Sequence, residues 1–94
     1  MPYVYILRCA DGTLYTGWAN DPAARERAHN EGRGARYTEG RRPVTIVYTE
    51  RCESRSAALK REWEVKRWPR RRKEALVRAV ASPAAKRRSK TVTR

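Results

Sequence analysis

No apolar run in the 94 residues approaches the roughly 20 that a membrane-spanning helix needs, so a helical membrane protein is excluded. The opening stretch, MPYVYIL, carries no basic region and no cleavage site. It is expected to be a first strand rather than a secretory leader, in a cytoplasmic protein. Cysteine is scarce. Cys9 and Cys52 have no Cys or His close by in sequence, which argues against a zinc site, and without a leader they read as reduced thiols rather than a disulfide. Histidine occurs once, at His29. No internal repeat is present, and a chain of this length holds one domain with a thin core.

Acidic residues are also few. Ten of them face 23 lysines and arginines, giving a net charge of +13. From Ala81 to Arg94 there are five bases (Lys86, Arg87, Arg88, Lys90, Arg94) and no acid. The rest of the chain keeps 18 bases against 10 acids, so the excess is not confined to one end. A folded surface of that sign attracts polyanions, nucleic acid above all, and such binding weakens as salt rises. Hydrophobic residues are 39% and charged residues 35%, a balance that fits a soluble folded domain and argues against wholesale disorder.

Residues 2–8 alternate Tyr3, Tyr5 and Leu7 with Val4, Ile6 and Arg8, the period of a strand. Asp11-Gly12 marks a turn into a second strand, Thr13 to Trp18. The length of that turn decides which side chains share a face. A two-residue loop puts Tyr5 and Tyr15 on opposite faces. A three-residue loop, Ala10-Asp11-Gly12, pairs Cys9 with Thr13, Leu7 with Tyr15 and Tyr5 with Gly17, all on one face. Glycine at the third position favours the second register. Gly17 then leaves space beside Tyr5.

Asn20 or Asp21 caps a first helix, with Pro22 in its first turn and an end near Asn30. Arg25 and His29, four apart, share a face of it. Residues 31–43, EGRGARYTEGRRP, have no apolar period and are expected to form a long loop. Its Arg33, Arg36, Arg41, Arg42 and Tyr37 suit phosphate and base contact. A third strand is expected over Val44–Thr49. Helices follow from about Ser54 to Trp68 and from about Pro69 to Ala81, the last with Leu76, Val77 and Val80 inward. Residues 82–94 are expected to be a basic, disordered tail. Trp18, Trp63 and Trp68 are expected to serve core or rim packing rather than base stacking. The fold class is therefore α+β: a small three-stranded antiparallel sheet flanked by helices, in the order β-β-α-β-α-α, over residues 1–81.

These residues resemble a known pattern. Tyr3-Val4-Tyr5 stands where the GIY-YIG nucleases have Gly-Ile-Tyr, and Tyr15-Thr16-Gly17 where they have Tyr-Ile-Gly. Arg25 falls ten residues after Tyr15, His29 lies one turn further, and Glu62 sits in ALKREWEVKRW. The segment HNEGRGARYTEGRRPVTIVY is similar to the short, single-domain bacterial subgroup (UPF0213-like). The likeness spans residues 2 to about 79. Tyr3 replaces the first glycine and Thr16 the isoleucine, while both tyrosines stand.

The resemblance implies a metal-dependent endonuclease with Tyr5, Tyr15, Arg25, His29 and Glu62 at its site. Glu62 would hold one divalent ion, Mg2+ or Mn2+, and Arg25 the phosphate; Tyr5 and Tyr15 would position or activate water, and His29 orient or protonate a group. DNA is the expected substrate and RNA a possible one, with Lys66 among the contacts. A partner protein for substrate delivery is compatible with so small a chain. Each residue also has a plain role: Glu62 paired with Lys66 at i+4, Arg25 as a solvated helix arginine, His29 satisfied at a helix end, and the tyrosines as core aromatics. A basic nucleic-acid-binding module with little or no catalysis is the alternative function.

Overall fold

A hairpin begins the sheet. In the computed structural model, which describes residues 1–81, β1 (Tyr3–Cys9) and β2 (Leu14–Ala19) pair antiparallel, with Tyr5 opposite Gly17 and Leu7 opposite Tyr15. This is the three-residue loop register. The Cys9 amide donates to the Thr13 carbonyl at 2.8 Å and Gly12 takes a positive φ of 87°. Asp11 Oδ1 accepts from the Thr13 amide and hydroxyl, which tightens the turn.

α1 (Pro22–Asn30) starts on Asp21, whose carboxylate accepts from the Ala24 amide, with Pro22 at its first position. β3 (Val44–Arg51) pairs antiparallel with β1, giving the order β2-β1-β3. Its outer edge would present unpaired amides. Helix α1 covers them: Glu26 accepts from the Ile46 amide at 2.8 Å, and Asn30 bonds both the amide and the carbonyl of Val44. That pins α1 over one face of the sheet.

One correction concerns residues 31–43. They are not a plain loop, because Arg36–Glu39 form a short helix, α2. Only Thr38 in it is buried, so no apolar period betrays it in the sequence.

α3 (Arg55–Lys66) is capped by the Ser54 hydroxyl and packs along β2; α4 (Arg70–Ala81) follows Pro69. The sheet thus has helices on both faces. Tyr5, Leu7, Cys9, Ala19 and Val44 form one cluster beneath α1. On the other face Ile6, Tyr48, Val65 and Val77 gather under α3 and α4, with Leu76 and Trp68 against them, and Val4, Ala58 and Cys52 extend that layer beside Trp18. Burial of the Val4, Ile6 and Val65 side chains stabilises this layer by roughly 1.5–3 kcal/mol each.

Trp63 is a second correction. It is 61% exposed, with the Arg67 guanidinium 4.6 Å over its ring. Five residues beyond the buried Ala58, it sits about 140° around the helix from the core. The expected basic tail lies outside the described residues. Among the described residues no helix is long and apolar enough to cross a membrane.

Candidate active site

The register places Tyr5, Tyr15 and Gly17 together on the α1 face, near the β2 edge. Gly17 is required by close approach. A Cβ there would lie 2.6 Å from the Tyr5 hydroxyl and 3.3 Å from the Tyr15 ring. Any side chain would displace the Tyr5 hydroxyl.

α1 lowers His29 onto this pair. His29 is fully buried; its Nε2 is 3.3 Å from the Tyr5 hydroxyl, and the Tyr15 ring meets it edge-on at 5.2 Å. Its other nitrogen, Nδ1, lies 2.8 Å from the Thr38 hydroxyl. Thr38 is a site residue that sequence reasoning missed. So is Gly34, where a Cβ would fall 2.2 Å from Nδ1. Glycine between two arginine-rich segments, followed four residues on by threonine, was the only signal, and it needs the tertiary contact to be meaningful.

Arg25 is exposed one turn before His29, and its charge reaches both tyrosines and the imidazole. Glu62 arrives from α3 across the β2 edge. Its side chain is 17% exposed and ion-paired with Lys66 at 3.3 Å, while Lys66 Nζ sits 5.9 Å from the centre of the Tyr15 ring. The five residues therefore converge from β1, β2, α1 and α3.

Electrostatics sort their roles. Burial raises the Tyr5 pKa above that of a free phenol; the neighbouring Arg25 opposes this, while Tyr15 and the Glu62 carboxylate add to it. Tyr15 is raised by burial and by Glu62, and lowered by Arg25. Burial, with help from Arg25, pushes His29 below its ordinary value, so the imidazole is neutral near pH 7.

The remaining arginines divide. Tyr37 is 40% exposed and stacks on Tyr15 at 5.8 Å, which brings α2 into the site. Arg41 lies 4.2 Å over Tyr37, pairs with Asp11 at 3.0 Å and donates to the Tyr37 carbonyl. Arg42 donates to the carbonyls of Glu39 and Asn30. Both therefore brace the 31–43 segment. Arg33 pairs with Glu31 at the surface, and Arg36 is exposed at the start of α2. Beside Tyr37 a cleft of about 170 Å3 opens, lined also by Thr13, Leu14, Arg70 and Lys73.

Residues 1–75 match the model of the GIY-YIG catalytic domain. A UPF0213 protein of Staphylococcus aureus is 53% identical over 76 residues, covering 81% of this chain and 93% of that relative. The solution NMR structure of a UPF0213 protein from Bacillus halodurans is 42% identical, covers both chains fully and superposes with a TM-score of 0.57. The solution NMR structure of a protein from E. faecalis, 38% identical over 84% of each chain, gives 0.56. With a matching domain model, close relatives and the same fold, the chain belongs to the GIY-YIG nuclease superfamily, among its short UPF0213 members.

Proposed function

We propose that the protein is a metal-dependent endonuclease that hydrolyses phosphodiester bonds of nucleic acid, DNA first. The observation that carries this is the convergence of Glu62 and Arg25 on Tyr5, Tyr15 and a buried, neutral His29. A pure binder would need only the basic surface.

Arg25, exposed beside the tyrosines, suits a clamp on the scissile phosphate. Tyr5 is the group to position water; burial raises its pKa and keeps the phenol protonated at rest, and acting as a base would draw on Arg25, which opposes that rise, and on the bound ion. Tyr15, edge-on to His29 and stacked on Tyr37, orients the neighbouring groups.

The donor set fits one hard divalent ion. Among the described residues no three His, Cys, Asp or Glu side chains cluster, but Mg2+ commonly takes one or two carboxylates and fills its shell with water and phosphate oxygens. Glu62 would hold it, with Lys66 moving aside to the phosphate. Bound there, the ion supplies positive charge for phosphate oxygens and cancels the carboxylate that raises both tyrosines. Lys66, Lys73 and Arg70 beside the site, with Arg33, Arg36 and the exposed Trp63–Arg67 stack further out, provide cationic and aromatic contacts for a strand.

A non-catalytic binding module is the second reading. The Glu62–Lys66 ion pair favours it, since that pair satisfies the carboxylate without metal. The test incubates pure protein with labelled single-stranded, duplex and branched DNA and with RNA, in Mg2+, in Mn2+ and in EDTA. Cleavage is expected only with metal, and Glu62→Ala and Arg25→Ala should each lose on the order of 10²- to 10³-fold while still binding. Binding without cleavage of any substrate would favour the second reading.

A further inference from the structure

We propose that the Ala35 amide and the Thr38 hydroxyl fix His29 as the neutral tautomer with its proton on Nε2, so that His29 donates a hydrogen bond to the Tyr5 phenol oxygen and does not take the phenol's proton. The role this gives His29 in catalysis rests on the nuclease reading above; the tautomer itself does not.

The Ala35 amide nitrogen is 3.3 Å from Nδ1 with its N–H directed there, and an amide can only donate. Nδ1 must therefore offer its lone pair. The Thr38 hydroxyl lies 2.8 Å from Nδ1 and 2.8 Å from the Ala35 carbonyl, and its one proton has to choose. That carbonyl already accepts from the Thr38 amide at 3.1 Å. An oxygen lone pair facing an unprotonated Nδ1 at 2.8 Å would be repulsive, so the hydroxyl proton goes to Nδ1. The single Nδ1 lone pair is then shared between the two donors in a three-centre bond, and no polar group of the cluster lacks a partner. The other tautomer sets a ring N–H against an amide N–H and orphans the amide in a partly buried place, a cost of about 1–3 kcal/mol. The doubly protonated ring faces the same clash and adds a buried charge beside Arg25.

Gly34 makes the contact possible. No Cβ fits between its backbone and the ring, so the 34–35 peptide lies directly against Nδ1. On the far side of the ring the Nε2 proton points at Tyr5, 3.3 Å away. Tyr5 thus has a donor in His29 and a cation in Arg25, both of which favour its phenolate. The proton that Tyr5 sheds goes to water. Thr38 is a positioning residue: it acts on Tyr5 through His29.

His29 is the single histidine of the chain, so 15N-histidine labelling gives one unambiguous ring. Long-range proton–nitrogen NMR of the full chain at neutral pH, without metal or substrate, should show Nε2 protonated and Nδ1 as an acceptor. Thr38→Ser should keep that pattern, and Thr38→Val, which leaves the Ala35 amide in place, should keep Nε2 protonated but shift the Nδ1 resonance as one of its two donors is lost. In the cleavage assay Thr38→Val should lower kcat by roughly 10- to 100-fold, the scale seen when a histidine loses the outer partner that orients it, with KM little changed and Thr38→Ser restoring the rate. A wild-type ring protonated on Nδ1, on both nitrogens, or averaging between tautomers overturns the proposal. So does a Thr38→Val spectrum identical to wild type. An inactive protein with the expected wild-type spectrum would sink the nuclease reading and leave the tautomer standing.

Discussion

Two tyrosines on adjoining strands of this sheet are both buried, and their hydroxyls have opposite prospects. Tyr48, on β3 and the α3–α4 face, donates to Glu50 at 2.7 Å, and Arg61 holds that carboxylate from the other side. A phenol bonded to a carboxylate resists ionisation, and burial together with Glu50 pushes Tyr48 up to about 12. Tyr5, on β1 and the α1 face, meets a neutral imidazole and the field of an arginine. Burial alone, nearly the same for both, does not mark a reactive tyrosine; the sign of its neighbours does. The two faces follow the same division. The α3–α4 face closes its charges into pairs, Arg8 with Glu74 and Arg61 with Glu50. The α1 face leaves Arg25 exposed beside the tyrosines and the neutral imidazole, with the Glu62–Lys66 pair at its edge.

The comparison can be broken from the α1 face most sharply at Gly34. Gly34→Ala should cost about 1–3 kcal/mol by overpacking against His29, measured by thermal or denaturant unfolding, and should abolish cleavage even where the protein stays folded. Equal stability and activity would mean that the ring and the 34–35 backbone are not in contact.

The opposite face can be loosened at Glu74, which also holds Arg70 at the rim of the Tyr37 cleft. Glu74 is held at about 2 by the Arg8 guanidinium, with Arg70 adding to it. Its folded value is depressed, so its contribution is present above the ordinary carboxylate range and is lost as pH falls toward about 2. Glu74→Gln should cost about 1 kcal/mol at neutral pH, the partial exposure of Arg8 limiting the effect, and should flatten the acid limb of the stability curve. Cleavage by that variant should change little, because Arg70 keeps its bond to the Gly12 carbonyl.

The smallest expected effect is at Thr16. Its hydroxyl is buried without a hydrogen-bonding partner among the described residues. Thr16→Val removes an unsatisfied group at nearly constant shape, so stability should hold or rise by up to about 1 kcal/mol in chemical denaturation. A clear loss would show that the hydroxyl has a partner.

Much of the scaffold was legible because local chemistry and global packing agree there. Gly12 could be placed at a positive φ from the turn alone, and that single choice put Tyr5 opposite Gly17. Asp21-Pro22 marked a helix start through a cap that needs no tertiary partner, and apolar spacing put the next start near Ser54, which the structure makes its cap. What escaped sequence reasoning depends on contacts distant in the chain. Thr38 is polar in a polar stretch, and only the descent of His29 upon it buries it. Trp63 follows helical spacing loosely enough to pass as core, yet it lies off the buried stripe that Ala58 and Val65 define. Arg41 and Arg42 read as phosphate ligands by composition, whereas Asp11 and the carbonyls of Tyr37, Glu39 and Asn30 engage them.

The most direct measurement is the cleavage rate of Tyr5→Phe and Tyr48→Phe beside the wild type, in Mg2+ and on the substrate the native protein cuts best. Each variant removes one hydroxyl from a buried ring. Tyr5→Phe should lose on the order of 10²-fold or more, and Tyr48→Phe should cut at the native rate while losing about 1 kcal/mol of stability. Equal rates for the two variants, or a loss confined to Tyr48→Phe, would contradict the assignment of the chemistry to the α1 face.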